Sequence, residues 1–219
     1  MGQYCRHPYG RLPLLESLGF IADLGPEAVR LQAKTFERLV IGQIQETQGP
    51  KNGADPLAHY LQVVADKTGS LIATSARFGA MLAGADVEHI ETLTVFGAKI
   101  GIAFQLADDV IDIASNSSQS GKTPGTDLKE GVPTLVTLQI MSSNRAEDAE
   151  LKALLSAPMD DATVARVIPQ LREHQALGNA KTQLHQLAEE AKSLLTSLPQ
   201  GPARSALENL CHAIVERTA

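Results

Sequence analysis

The 219-residue sequence contains no tryptophan, and aromatic residues make up 4% of it. So few rings exclude a base-stacking platform for nucleic acid. Positive charge is also scarce. Nineteen Lys and Arg stand against 25 Asp and Glu, a formal net charge of −6. That excludes a broad basic face, so neither nucleic acid nor an anionic membrane surface is expected as a partner. The two cysteines, Cys5 and Cys211, lie far apart. They form no disulfide framework and no zinc site, which fits a reducing cytoplasm. No unbroken apolar run approaches the roughly 18 residues of a membrane span, so no transmembrane segment is expected. Arg6, His7 and Arg11 are interspersed with Pro8 and Pro13 and precede no apolar stretch, so no export signal is expected. Alternating strand patterns and internal repeats are absent as well.

What is present is helical periodicity in a chain that is 43% hydrophobic. Gly25-Pro26 reads as a helix start. Val29, Phe36, Leu39, Val40 and Ile44 then recur at helical spacing up to Gly49-Pro50. Asp55-Pro56 opens a second helix through Leu57, Tyr60, Leu61 and Val64. A stretch rich in small residues, Thr68 to Ala85, predicts close helix packing. A long helix is expected from Asp86 to about Ala114, with Ile90, Leu93, Phe96, Ile100, Phe104 and Ala107 buried. Shorter helices follow at Thr134 to Met141, Ala146 to Ser156, Ala162 to Leu177 and Ala180 to Leu195. A last one runs through Leu207, Leu210 and Ile214. The fold class is therefore all-α, a bundle of antiparallel helices.

The sharpest chemical cluster is Phe104-Gln105-Leu106-Ala107-Asp108-Asp109-Val110-Ile111-Asp112. On a helix, Gln105, Asp108, Asp109 and Asp112 share one side. Three carboxylates on one stripe repel one another, and oxygen donors alone suit a hard cation such as Mg²⁺. A lone motif of this length also fits a solvated acidic face. Downstream, Ser120-Gly121-Lys122-Thr123-Pro124-Gly125 places a lysine in a glycine-flanked loop, a natural diphosphate contact. It is not a P-loop, because Asn116 stands where the first glycine is needed and no strand precedes it. Lys67-Thr68-Gly69 offers an ammonium and a hydroxyl inside an apolar helix; the bland reading is a lysine that snorkels to water. The histidines in separate helices, His174 among them, read as surface or cap residues, Cys211 as a small buried residue, and Glu147-Asp148-Glu150 as a solvated first turn.

Taken together, these elements resemble the trans-polyprenyl diphosphate synthases. FQLADDVIDIASNSSQSGKTPGTDLKEG looks like the family's second aspartate-rich region with its glycine–lysine loop, and Lys67-Thr68 like its lysine–threonine pair. Leu39, Gly42 and Gln43 sit where the family has a helix ending in Gly-Glu or Gly-Gln. The resemblance implies a bundle of the isoprenoid synthase type and prenyl transfer from an allylic diphosphate to isopentenyl diphosphate. It also implies Mg²⁺ held by Asp108, Asp109 and Asp112, with Lys67, Thr68, Gln105 and Lys122 contacting the diphosphate or the cation forming beside it. A cytoplasmic homodimer is the further implication. Val132 stands where many members carry lysine.

The resemblance also implies an upstream DDxxD with paired arginines and a basic isopentenyl diphosphate pocket, which this sequence lacks. Residues 21–219 are therefore expected to be the C-terminal two-thirds of a polyprenyl synthetase domain, incomplete at the N-terminus and weak or inactive alone. GQYCRHPYGRLPL has no helical period. One back-translation of Met1 to Leu14, read from its second nucleotide, gives WGNTVAILTGDFL, similar to the family's helix after the first aspartate motif. Residues 1–20 are thus expected to be an aberrant segment, the product of a frameshift. Two rival expectations are a non-catalytic partner subunit of a heteromeric synthase and a Mg²⁺-dependent terpene cyclase.

Overall fold

The structure, a computed structural model, describes residues 21–114 and 124–218. The expectations for residues 1–20 and for Lys122 fall outside them. Among the described residues, ten α-helices follow one another: α1 (Pro26–Gln48), α2 (Pro56–Val64), α3 (Ser70–Leu82), α4 (Val87–Ala114), α5 (Thr126–Glu130), α6 (Leu135–Ser142), α7 (Ala149–Leu155), α8 (Asp161–Glu173), α9 (Gln175–Leu194) and α10 (Pro202–Glu216). Between α2 and α3 the backbone makes a π turn over Ala65–Gly69, so Pro56 to Leu82 is one helix with a widened turn. Among the described residues there is no strand, and the all-α expectation holds.

Local chemistry sets the helix starts. Pro26 and Pro56 occupy first turns, and the Asp55 carboxylate accepts from Leu57 N at 2.9 Å. Thr134 and Thr137 form a reciprocal capping box at α6. One boundary differs from the sequence expectation. The chain breaks at His174, not between Leu177 and Ala180, because His174 Nδ1 accepts from Ala176 N and starts α9 there. Gly178 and Asn179 are absorbed into that helix. The Glu147-Asp148-Glu150 run is also no solvated turn throughout. Asp148 is buried, accepts from Ser143 Oγ and sits 3.1 Å from His174 Nε2. Its hydrogen bonds from Ser143 and then His174 hold its carboxyl below the usual range.

α4 is the axis of the core. Ile100, Ala103, Ala107, Val110 and Ile113 are buried along it, and α3 and α9 pack on its two sides. By length and composition alone it could cross a membrane. Lys99 interrupts its apolar stretch, so no unbroken run marks it in the sequence. Phe104 is a correction: it is 40% exposed, on the turn that carries the acidic residues. α1 turns its large apolar residues away from the core. Its core face is Ala28, Thr35 and Gly42. Val29, Phe36, Val40 and Ile44 share the opposite, exposed face. Small residues are needed inward because α1 lies close on the π turn; a Cβ at Gly42 would stand 3.0 Å from Lys67 Cγ.

Candidate functional site

A cavity of about 340 Å³ opens between the end of α1, α2, the π turn, α4 and the link from α5 to α6. The polar part of its lining carries Glu46, Tyr60, Lys67, Thr68, Gln105, Asp109 and Asp127. The apolar part of the lining includes Val63, Val64, Val132, Pro133 and Leu138. The widened turn puts Lys67 and Thr68 on the wall begun by Tyr60 and Val64. Thr68 Oγ1 then reaches Gln105 Oε1 at 3.3 Å, tying the π turn to α4.

Asp109 is the most buried acid of the motif, 4% exposed. It accepts from the Tyr60 hydroxyl and, at 2.9 Å, from Leu135 N at the first turn of α6. A helix N-terminus favours a nearby negative charge. Burial nevertheless dominates and pushes the Asp109 carboxyl up to about 6, the Tyr60 and Leu135 hydrogen bonds opposing it and the Asp127 charge adding to it. Burial, then the Asp109 charge, raises the Tyr60 phenol, so it remains a donor.

The other two acids of the motif reach different neighbours. Asp108 Oδ1 accepts from Arg217 at 2.9 Å. Asp112 accepts from Thr126 N at 3.1 Å and Asp127 N at 3.3 Å, fastening the start of α5. The stripe of the sequence is therefore real but fans out. Asp109 turns inward, Asp108 toward α10 and Asp112 toward α5. Lys67 neither snorkels freely nor lies in the core. Its Nζ pairs with Glu46 at 2.5 Å on the cavity wall.

Among the described residues, no three His, Cys, Asp or Glu side chains converge on one cation position. The donor chemistry still fits a hard divalent ion. Among the described residues, the cavity lining carries Glu46, Asp109 and Asp127 and one lysine, Lys67. A diphosphate entering that wall meets net repulsion unless cations accompany it. Sequence reasoning brought Lys67, Thr68, Gln105 and Asp109 together correctly. It missed Tyr60, Glu46, Asp127 and Arg217. Tyr60 had a usable signal: a buried tyrosine hydroxyl needs a partner, and Tyr60 lies seven residues before Lys67 on the same face.

Comparison with known proteins gives this geometry a context. A family model described as polyprenyl synthetase matches residues 12–171. A nonaprenyl diphosphate synthase of Mycobacterium tuberculosis is 46% identical over 198 residues, covering 90% of this chain and 59% of that protein. Heptaprenyl diphosphate synthase component 2 of Geobacillus stearothermophilus is 33% identical over 202 residues, covering 92% of this chain and 62% of that one. A geranylgeranyl pyrophosphate synthase of Corynebacterium glutamicum, solved with calcium and isoprenyl diphosphate, superposes with a TM-score of 0.87 at 40% identity. That match covers 94% of this chain and 64% of the other. The chain thus spans less than two thirds of the length of these relatives.

Proposed function

The chain belongs to the polyprenyl synthetase family, and from that premise we propose prenyl transfer: an allylic diphosphate is elongated by isopentenyl diphosphate with release of diphosphate. One observation carries the reading. Lys67 and Thr68 from the π turn, and Gln105 and Asp109 from α4, meet in the lining of one cavity that also includes Val63, Val64, Val132, Pro133 and Leu138. The polar residues receive the diphosphate and the apolar residues take the prenyl tail and exclude water.

Asp108, Asp109 and Asp112 would hold Mg²⁺, as the resemblance implies. When bound, such an ion neutralises the leaving diphosphate and makes its departure from the allylic carbon easier. The chain's own residues then have defined work. Lys67 exchanges Glu46 for a diphosphate oxygen. Thr68 donates to a second oxygen. Gln105, released as the Thr68 hydroxyl turns to the diphosphate, presents its amide oxygen toward the allylic cation. Tyr60 and Leu135 N fix the Asp109 carboxylate in one orientation. Lys122 is a further diphosphate contact implied by the resemblance. The exposed apolar face of α1 supports association with a second copy, and a cytoplasmic homodimer is part of the reading.

A second reading makes the chain one component of a heteromeric synthase. The likeness to a protein named as a component, and the outward apolar face of α1, favour it. Incubation with Mg²⁺, isopentenyl diphosphate and farnesyl diphosphate separates the readings. Slow formation of longer prenyl diphosphates is expected, because the chain carries one DDxxD where the resemblance implies two. Cyclic hydrocarbon would instead assign a terpene cyclase, and silence would favour a fragment inactive alone or the component reading.

A further inference from the structure

Arg217 ends α10, far in sequence from the acidic stripe, yet its NH2 sits 2.9 Å from Asp108 Oδ1. Its guanidinium also lies over the Phe104 ring, 4.9 Å from the centroid. Phe104 and Asp108 are one turn apart on α4, so the arginine spans a ring and a carboxylate on one face. This explains an exposed phenylalanine that the helical pattern does not. The end of the chain is docked rather than loose: Thr218 is 4% exposed, and its hydroxyl donates to Val215 O at 2.8 Å.

We propose that Arg217 is a latch on the cation site, a positioning residue that occupies Asp108 until a divalent ion displaces it. The inference rests on the reading of Asp108 as a cation ligand. A guanidinium and a divalent cation compete for the same carboxylate, and their positive charges repel while both are near it. The pair thereby compensates the charge of Asp108 while no ion is bound. Entry of the ion has two consequences. It works against the Arg217 charge, and it frees the last turn of α10 from α4.

The test is a Mg²⁺ titration by calorimetry of the wild-type chain, Arg217→Gln and Asp108→Asn, at pH 8. Hydrogen exchange of the amides of residues 213–218 is read alongside. Arg217→Gln is expected to bind Mg²⁺ about five-fold more tightly, the ratio that a partly exposed charge contact sets. In the wild-type chain, Mg²⁺ is expected to speed exchange at the end of α10, whereas Arg217→Gln is expected to exchange fast there already without the ion. Phe104→Leu, which removes the platform and keeps the arginine, should shift affinity in the same direction by less. Equal or weaker Mg²⁺ binding by Arg217→Gln overturns the latch. If Asp108→Asn still loses affinity in that case, the cation-site reading survives. Absence of Mg²⁺ binding by every chain overturns both.

Discussion

Replacing Gly101 with valine is expected to lower the unfolding free energy by about 3 kcal/mol or more. At this chain length the melting temperature should fall by about 10 °C. A Cβ at Gly101 would stand 2.8 Å from Gly69 Cα and 2.9 Å from the Thr68 carbonyl oxygen. Both are backbone atoms, so no side chain can rotate away. The helices would have to separate where the π turn meets α4. Gly97 repeats the contact one turn earlier, with its Cβ position 2.8 Å from Ala73 Cα, so the two helices cannot pivot about that point instead. The substitution should also displace Thr68 from Gln105 and weaken diphosphate binding beyond the loss of stability. Gly178 is the control. It lies inside α9 with nothing within 4 Å of its Cβ position. Gly178→Ala is therefore expected to stabilise by up to about 1 kcal/mol. Thermal melts of the two variants should move in opposite directions.

The second large effect concerns pH. Asp109 has a folded-state value raised to about 6 from an ordinary 3.8, chiefly by burial. Below about pH 4 both folded and unfolded chains carry the proton, and the group does not affect stability. Between about 4 and 6 the unfolded chain has released it while the folded chain keeps it, so stability falls as pH rises. Above about 6 the whole cost of burying the charge is present, on the order of 2–3 kcal/mol. Asp109→Asn keeps an oxygen for Tyr60 and Leu135 N and cannot ionise. Relative to wild type it should therefore gain about 2–3 kcal/mol between pH 4 and pH 7. Acids with lowered values, such as Asp148 and Asp160, titrate equally in both proteins and cancel in the difference. Urea unfolding of the pair across this range measures it. A difference independent of pH would show that Asp109 is not desolvated as described.

Much of this site is legible in the amino-acid sequence. The DDxxD spacing and the lysine–threonine pair both land on the cavity wall through Asp109, Lys67 and Thr68, because helical periodicity alone fixes which residues share a side. What periodicity cannot supply is depth and partner. It places Asp108, Asp109 and Asp112 on one stripe, but three different elements claim them: α10, α6 and α5. Those approaches are tertiary, and the Asp108–Arg217 pair spans 109 positions. The π turn is equally hidden, since Ala65–Gly69 has no sequence mark beyond Gly69 that separates it from ordinary helix. Helical spacing groups Val29, Phe36, Val40 and Ile44 on α1 but does not fix which way they face; the close approach at Gly42 sets small residues inward and leaves these four exposed.

The central claim is that this wall takes a diphosphate only in the company of a divalent cation. Titrating inorganic pyrophosphate into the chain by calorimetry, with Mg²⁺ and then with a chelator, tests it most directly. The account expects saturable binding with Mg²⁺, loss of it with the chelator, and at least about ten-fold weakening in Lys67→Ala, the scale of one charge-assisted contact. Binding of equal strength without the ion, or none with it, would contradict the account.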